Sequence, residues 1–112
     1  MKLYLSGPIT GIENNNIEVF AKAASDLREA GFDIVNPLEL PQPPELKKVW
    51  NEYMRLDLIE MLTHCHGVVV LDGWEGSKGA RGEVYLAQLL DWPVFTIDCL
   101  LGALVVFNDL VV

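Results

Sequence analysis

The feature that most constrains this chain is a set of five short apolar segments rich in β-branched or aromatic residues. Each segment is continuous rather than alternating with polar residues, which is typical of strands covered on both faces in a parallel sheet. The segments are residues 2–6, 32–35, 67–71, 94–97 and 103–107. We therefore predict a parallel sheet of about five strands.

Segments with helical spacing separate these strands. Apolar residues from Ile17 to Ala30 recur every three or four positions, Asn14–Asn16 offer an N-cap, and Gly31 is placed to end the helix. A proline-rich loop leads into a second helix over about residues 45–63, and a third covers about 80–90. The alternation predicts one α/β domain over residues 1–112, a doubly wound parallel sheet of the Rossmann-like or flavodoxin-like kind.

Acidic residues outnumber basic ones by 16 to 8, which gives a formal net charge of −8. This charge repels nucleic-acid polymers and anionic membranes, so we expect neither as a partner. Any anionic ligand is then small and is bound by backbone N–H groups and a few cations. No N-terminal apolar stretch is long enough for a signal peptide, and Cys65 and Cys99 lie in largely apolar parts of the chain. We therefore expect a cytoplasmic protein whose thiols are reduced and lie in or near the core.

Two loops after predicted strands are rich in glycine, and ligands of parallel sheets bind at the carboxyl ends of strands. Residues 6–11, Ser-Gly-Pro-Ile-Thr-Gly, fit either a ligand loop or a simple strand-to-helix turn. Residues 71–83 hold four glycines, Ser77, Lys78 and Arg81, and they predict an anion site at the start of a helix. The second loop has neither the P-loop ending nor the Rossmann glycine spacing, which disfavours a nucleoside triphosphatase.

Two acidic residues are candidates for a nucleophile and a general acid. Glu83 falls in the first turn of the third predicted helix, where the helix dipole favours an ionised carboxylate. Acidic residues are also common there for stability alone. Asp57 shares a stripe of the second helix with large apolar residues, so partial burial would raise its pKa and make it a proton donor. The alternative for Asp57 is contact with solvent or pairing with Arg55 or Lys48.

The sequence His64-Cys65-His66 is a weak candidate for a metal site. Residues so close together rarely surround one ion, and no second cluster of Cys and His is present to complete four ligands. A histidine near the end of a helix accounts for the pattern equally well. We therefore expect no metal, and nothing in the sequence calls for another cofactor.

Three parts of the chain together resemble the nucleoside 2-deoxyribosyltransferase superfamily, which includes the 2′-deoxynucleoside 5′-monophosphate N-glycosidases. They are residues 4–11 (Tyr-Leu-Ser-Gly-Pro-Ile-Thr-Gly), Asp57, and residues 77–83 (Ser-Lys-Gly-Ala-Arg-Gly-Glu). Within the superfamily the chain looks most like a small, poorly characterised domain family of phage and bacterial proteins. The resemblance covers residues 2 to about 98.

The resemblance implies a role for each matching residue. Glu83 would attack C1′ of the sugar to form a covalent glycosyl intermediate, Asp57 would assist departure of the base, and Tyr4 would contact the nucleophile. Ser77, six residues before Glu83, would bind a 5′-phosphate. Thr10 stands where the monophosphate hydrolases have arginine, so that charge would have to come from Arg81 or Lys78. The other implied substrate-binding residues are Gly7, Ile9, Thr10, Gly11, Gly79 and Arg81.

The expected function is cleavage or transfer of the N-glycosidic bond of a small (deoxy)nucleotide or nucleoside. A second hypothesis is a non-catalytic module that binds or sequesters a small nucleotide, because the same glycine loop serves both. Cleavage of a dinucleotide such as NAD ranks lower, since 112 residues leave little room for a second nucleotide half. We also expect a homo-oligomer. The apolar residues 104–112 would be a liability on a monomer, and superfamily members complete their pockets with residues of a neighbouring subunit.

Overall fold

The chain folds around a parallel β-sheet, and its computed structural model describes residues 1–46 and 49–102. The described strands are β1 (Lys2–Ser6), β2 (Asp33–Val35), β3 (Gly67–Val70) and β4 (Val94–Thr96). They are parallel and lie in the order β2-β1-β3-β4, which is the order of the first four strands of a flavodoxin-like sheet. Four of the predicted strands are thus confirmed, and each observed strand end lies within one residue of the predicted end. The described sheet has four strands rather than five, because the fifth segment, residues 103–107, lies outside the described residues.

Three helices connect the strands: α1 (Ile17–Glu29), α2 (Trp50–His64) and α3 (Lys78–Leu89). The predicted start of α2 near residue 45 is wrong. A hydrogen bond from the Leu46 N–H to the Pro43 carbonyl (3.0 Å) closes a turn, and Val49 is extended, so the helix begins only at Trp50.

The asparagines before α1 do not cap the helix as predicted. Asn16 occupies the N-cap position, but its Nδ2 donates to the Pro8 carbonyl at 2.9 Å and makes no capping bond. Asn14, Asn15 and Asn16 have φ angles of 52°, 53° and 61°, which place all three in the left-handed region. At the other end of α1, Gly31 has a φ of 98° and ends the helix as predicted.

Helices cover both faces of the sheet, and the alternation of side chains along β1 decides which residues meet them. Leu3 and Leu5 pack with Phe20 and Leu27 of α1 on one face. Tyr4 packs with Met61 of α2 and with α3 on the other face. Because Ser6 follows Tyr4 by two residues, its side chain lies on the α2–α3 face as well. The doubly wound α/β architecture predicted from the sequence is confirmed.

The two cysteines have different surroundings. Cys65 is buried as expected, and its burial raises the pKa of the thiol to about 11, so the thiol stays protonated at neutral pH. Cys99 is exposed on the helical residues 97–102, so the expected core position of this residue is wrong. Both cysteines are free thiols. Over residues 1–46 and 49–102, no helix combines the length and the apolar character needed to cross a membrane.

Candidate active site

A cavity of about 390 Å³ lies beside the carboxyl ends of β1 and β2. Its walls are the loops that follow these two strands, the first half of α2 and the first two turns of α3. Asp57 and Glu83 both line it, so the structure brings together the two acidic residues singled out from the sequence. Apolar and aromatic side chains such as Leu38, Trp50 and Tyr53 form much of the remaining wall, which is typical of a site for a small molecule.

Two hydroxyl groups of β1 hold the carboxyl group of Glu83 in place. Tyr4 Oη donates to Oε2 at 2.7 Å, and Ser6 Oγ donates to Oε1 at 2.6 Å. All three residues are buried, and Glu83 is only 5% exposed. Tyr4 is therefore found where the resemblance implies. Ser6 was not predicted as a site residue, although its two-residue offset from Tyr4 could have revealed it, since such residues share a face of a strand.

Burial decides the protonation of Glu83. The loss of solvent raises the pKa of its carboxyl group from 4.5 to about 7, while the hydrogen bonds from Ser6 and Tyr4 act in the opposite direction. The prediction that the helix dipole keeps this group ionised is wrong for two reasons. Because α3 begins at Lys78, Glu83 is its sixth residue and lies beyond the first turn, where the dipole acts most strongly. In addition, desolvation is the largest influence on its pKa.

Asp57 is half-buried on the side of α2 that faces the cavity. Burial and then the nearby charge of Glu83 raise the pKa of its carboxyl group from 3.8 to about 7. Within the described residues Asp57 forms no salt bridge, so it does not pair with Arg55, and Lys48 lies outside the described part of the chain. The predicted rise in the pKa of Asp57 is therefore confirmed.

The two carboxyl groups differ in their hydrogen bonds, and this difference sets the order in which they lose their protons. Glu83 accepts bonds from two hydroxyl groups, which stabilise its ionised form. Its charge then raises the pKa of Asp57, so Asp57 keeps its proton while Glu83 is ionised. Tyr4 remains a neutral donor, because burial and the charge of Glu83 raise the pKa of its phenol well above 10. Because both pKa values lie at about 7, one proton is shared by the pair around this pH, and the state with ionised Glu83 and protonated Asp57 is favoured over the reverse.

The loop after β1 forms one wall of the cavity through Gly7, Ile9, Thr10 and Gly11. At Gly7 the backbone passes so close to the residue after β3 that an added Cβ would lie 2.8 Å from the Cβ of Leu71. A side chain at this position would push the loop away from the sheet. The four residues implied by the resemblance in this loop therefore all lie at the cavity.

The start of α3 contributes Ser77 and Gly79 to the cavity, but it does not contribute Arg81. Ser77 is the N-cap residue, and its Oγ accepts a hydrogen bond from the Ala80 N–H at 3.2 Å. Arg81 Nη1 donates to the Glu75 carbonyl at 3.0 Å, outside the residues that line the cavity. Lys78, in contrast, contacts a residue of the cavity wall, since its Nζ lies 4.5 Å from the centroid of the Trp50 ring.

No group of three or more metal-ligating side chains occurs among residues 1–46 and 49–102. His64 Nδ1 lies 3.2 Å from Glu60 Oε2 at the exposed end of α2, which fits the non-metal interpretation of the His-Cys-His sequence. The described lining of the cavity supplies two carboxyl groups, hydroxyl donors and the backbone N–H groups at the start of α3.

Comparison with known proteins identifies a family. The family model described as "Domain of unknown function (DUF4406)" matches residues 1–96, which include β1 to β4 and the two carboxyl groups of the cavity. No solved structure matches the chain. The likeness to the nucleoside 2-deoxyribosyltransferase superfamily stays a prediction, because the description of the matching family states no activity.

Proposed function

We propose, from the premise that this chain belongs to the DUF4406 family, that its cavity cleaves or transfers the N-glycosidic bond of a small (deoxy)nucleotide or nucleoside. The observation that carries the proposal is the pair of carboxyl groups in one cavity, with Glu83 held by two buried hydroxyl groups. An ionised nucleophile beside a protonated acid is what displacement at a glycosidic carbon requires.

The first step transfers the sugar to the protein. An oxygen of ionised Glu83 attacks C1′ and forms a C1′–O bond, while the C1′–N bond breaks and its electron pair leaves with the base. Asp57 gives its proton to the departing base. Although each oxygen of Glu83 accepts a hydrogen bond, a carboxylate oxygen has two lone pairs, so one remains for the attack.

The second step releases the sugar. Asp57, now ionised, accepts a proton from water or from the N–H of a second base as that molecule attacks C1′. The ester bond to Glu83 breaks and the carboxylate is restored. With water the reaction is hydrolysis, and with a second base it is transfer.

A 5′-phosphate would lie at the start of α3. The first N–H groups of a helix have no acceptor within it, and the positive end of the helix dipole favours an anion. Ser77 lines the cavity here, and Lys78 supplies a positive charge near Trp50. Thr10 stands where the monophosphate hydrolases have an arginine. Lys78, rather than Arg81, would thus supply the positive charge of that arginine.

The test is release of free base from each deoxynucleoside and deoxynucleoside 5′-monophosphate, followed by chromatography, with and without a second base. Ribonucleosides and NAD belong in the same assay. We expect Glu83→Gln to lower turnover by about 10³-fold or more, because it removes the nucleophile. Glu29→Gln, on the exposed side of α1, is the matched control and should leave turnover unchanged. Turnover that survives in Glu83→Gln would refute the mechanism.

One observation favours the alternative of a binding module without chemistry. Both oxygens of Glu83 accept hydrogen bonds from β1, an arrangement that also suits a structural carboxyl group. A protein of this second kind would bind a nucleotide in the cavity, release no base, and keep its affinity in Glu83→Gln.

We further propose that the protein assembles with copies of itself. α2 and α3 expose large apolar side chains to solvent: Ile59, Leu62, Tyr85 and Leu89. Exposed apolar surface of this kind is typical of an interface. Light scattering coupled to size-exclusion chromatography measures the mass, and a monomer at micromolar concentration would refute the assembly.

A further inference from the structure

The turn formed by Asn14, Asn15 and Asn16 has the most unusual backbone in the described part of the chain. Three consecutive residues other than glycine adopt the left-handed conformation, with φ angles of 52°, 53° and 61°. The region is unfavourable for L-amino acids, and asparagine is among the residues that tolerate it best. Strain of this kind persists where the surrounding structure enforces it, and it is concentrated at functional sites.

Hydrogen bonds hold the turn against the loop that follows β1. Asn16 Nδ2 donates to the Pro8 carbonyl at 2.9 Å, and the Asn15 N–H donates to the Ile12 carbonyl at 3.0 Å. Pro8 lies between Gly7 and Ile9, which line the cavity. The position of the turn is therefore coupled to the wall of the site.

Asn15 differs from its two neighbours in its relation to the cavity. It is the residue of the three that lines the cavity with Asp57 and Glu83. Its side chain is exposed and makes no hydrogen bond with another described residue, so its amide group is available to a ligand. Asn14 is equally exposed but does not line the cavity.

We infer that Asn15 is a specificity-determining residue whose carboxamide hydrogen-bonds the nucleobase of the substrate. The inference rests on the proposed function and adds to it the part of the substrate that is recognised. A carboxamide presents an acceptor and a donor side by side, and the edge of a nucleobase presents a matching pair. A phosphate only accepts hydrogen bonds, so it would use the N–H donors of the carboxamide and leave the carboxamide oxygen without a partner. Trp50 and Tyr53 line the same cavity, and aromatic side chains are the residues on which planar bases stack in proteins.

The test compares Asn15→Gly with Asn14→Gly. Glycine adopts the left-handed conformation without strain, so both variants keep the turn, and only the first removes an amide from the cavity. Equilibrium dialysis with each free nucleobase and with 2-deoxyribose measures recognition without turnover. We expect Asn15→Gly to weaken binding of the preferred base about tenfold, as loss of a hydrogen bond does, while Asn14→Gly and the binding of 2-deoxyribose stay unchanged.

Three results would overturn the inference: no base binds the wild-type protein, both variants bind the preferred base as tightly as wild type, or both lose affinity equally. The proposed function fails separately, when wild-type protein releases no base from any nucleoside or nucleotide. Where the protein does turn a substrate over, Asn15→Gly should raise KM about tenfold with little change in kcat. A change in kcat alone would place Asn15 in the chemical step and refute a role in recognition.

Discussion

Replacing Glu83 with glutamine should make the protein more stable at alkaline pH while it removes the proposed nucleophile. Burial raises the pKa of the Glu83 carboxyl group from 4.5 to about 7 in the folded protein. The folded chain therefore binds a proton between these values that the unfolded chain has released, and the free energy of unfolding falls as pH rises through this window. Glutamine carries no charge at any pH, so the variant does not lose this contribution.

The magnitude follows from the two pKa values. The rise from 4.5 to about 7, at about 1.4 kcal/mol for each pKa unit, corresponds to about 3 kcal/mol of stability lost by the wild-type protein. The glutamine amide can keep both contacts, because its oxygen accepts from one hydroxyl group and its nitrogen donates to the other. We expect Glu83→Gln to match wild type within about 1 kcal/mol at pH 4.5 and to exceed it by about 3 kcal/mol at pH 8.

Urea denaturation at a series of pH values between 4.5 and 8.5 measures this difference, with protein concentration and ionic strength held constant. Some pH dependence should remain in the variant, because burial also raises the pKa of Asp57. Glu29→Gln on the exposed side of α1 is the control and should follow the wild-type curve. Parallel curves for wild type and Glu83→Gln over the whole range would show that Glu83 is not a buried acid with a raised pKa.

Three further substitutions test the other parts of the site. Ser6→Ala removes a hydrogen bond to ionised Glu83 that is worth about 1.5–3 kcal/mol, so the acidic limb of the activity–pH profile should move up by about one to two pH units. An unmoved limb would mean that Ser6 does not stabilise the carboxylate. Asp57→Asn should slow base release by about 10²–10⁴-fold, but much less for an N7-methylated purine nucleoside, whose base departs without a proton. An equal loss with both substrates would exclude Asp57 as the acid. Gly7→Ala should lower the free energy of unfolding by about 1–3 kcal/mol, because the new Cβ meets Leu71 at 2.8 Å, and an unchanged urea midpoint would contradict that close approach.

The parts of the fold that were predicted correctly depend on local patterns. Continuous apolar runs identified β1 to β4 because buried parallel strands need apolar residues on both faces. The helical spacing of the apolar residues in α1 and the glycine at its end identified that helix, because both are local signals as well. The start of α2 was wrong because the turn at residues 43–46 and the extended Val49 leave no local signal that distinguishes them from a first helical turn.

The outline of the candidate site was predicted from the sequence, but the prediction was wrong for some of its residues. Glu83, Asp57 and the loop at residues 7–11 meet at one cavity, but Arg81 bonds the Glu75 carbonyl away from it. Ser6 was missed, since its bond to Glu83 joins residues 77 positions apart. The left-handed conformation of Asn15 was missed as well, because asparagine is equally common at an N-cap, where the sequence had suggested it.

The amino-acid sequence by itself determined the alternation of strands and helices, and with it the edge of the sheet at which we expect a ligand to bind, because these follow from the periods of apolar residues along the chain. Only the tertiary structure decided the protonation of the two acids. Burial against β1, and not the position along α3, raises the pKa of Glu83, and the charge of Glu83 in turn raises that of Asp57. A pKa depends on loss of solvent and on nearby charges in three dimensions, and neither is encoded in the spacing of residues.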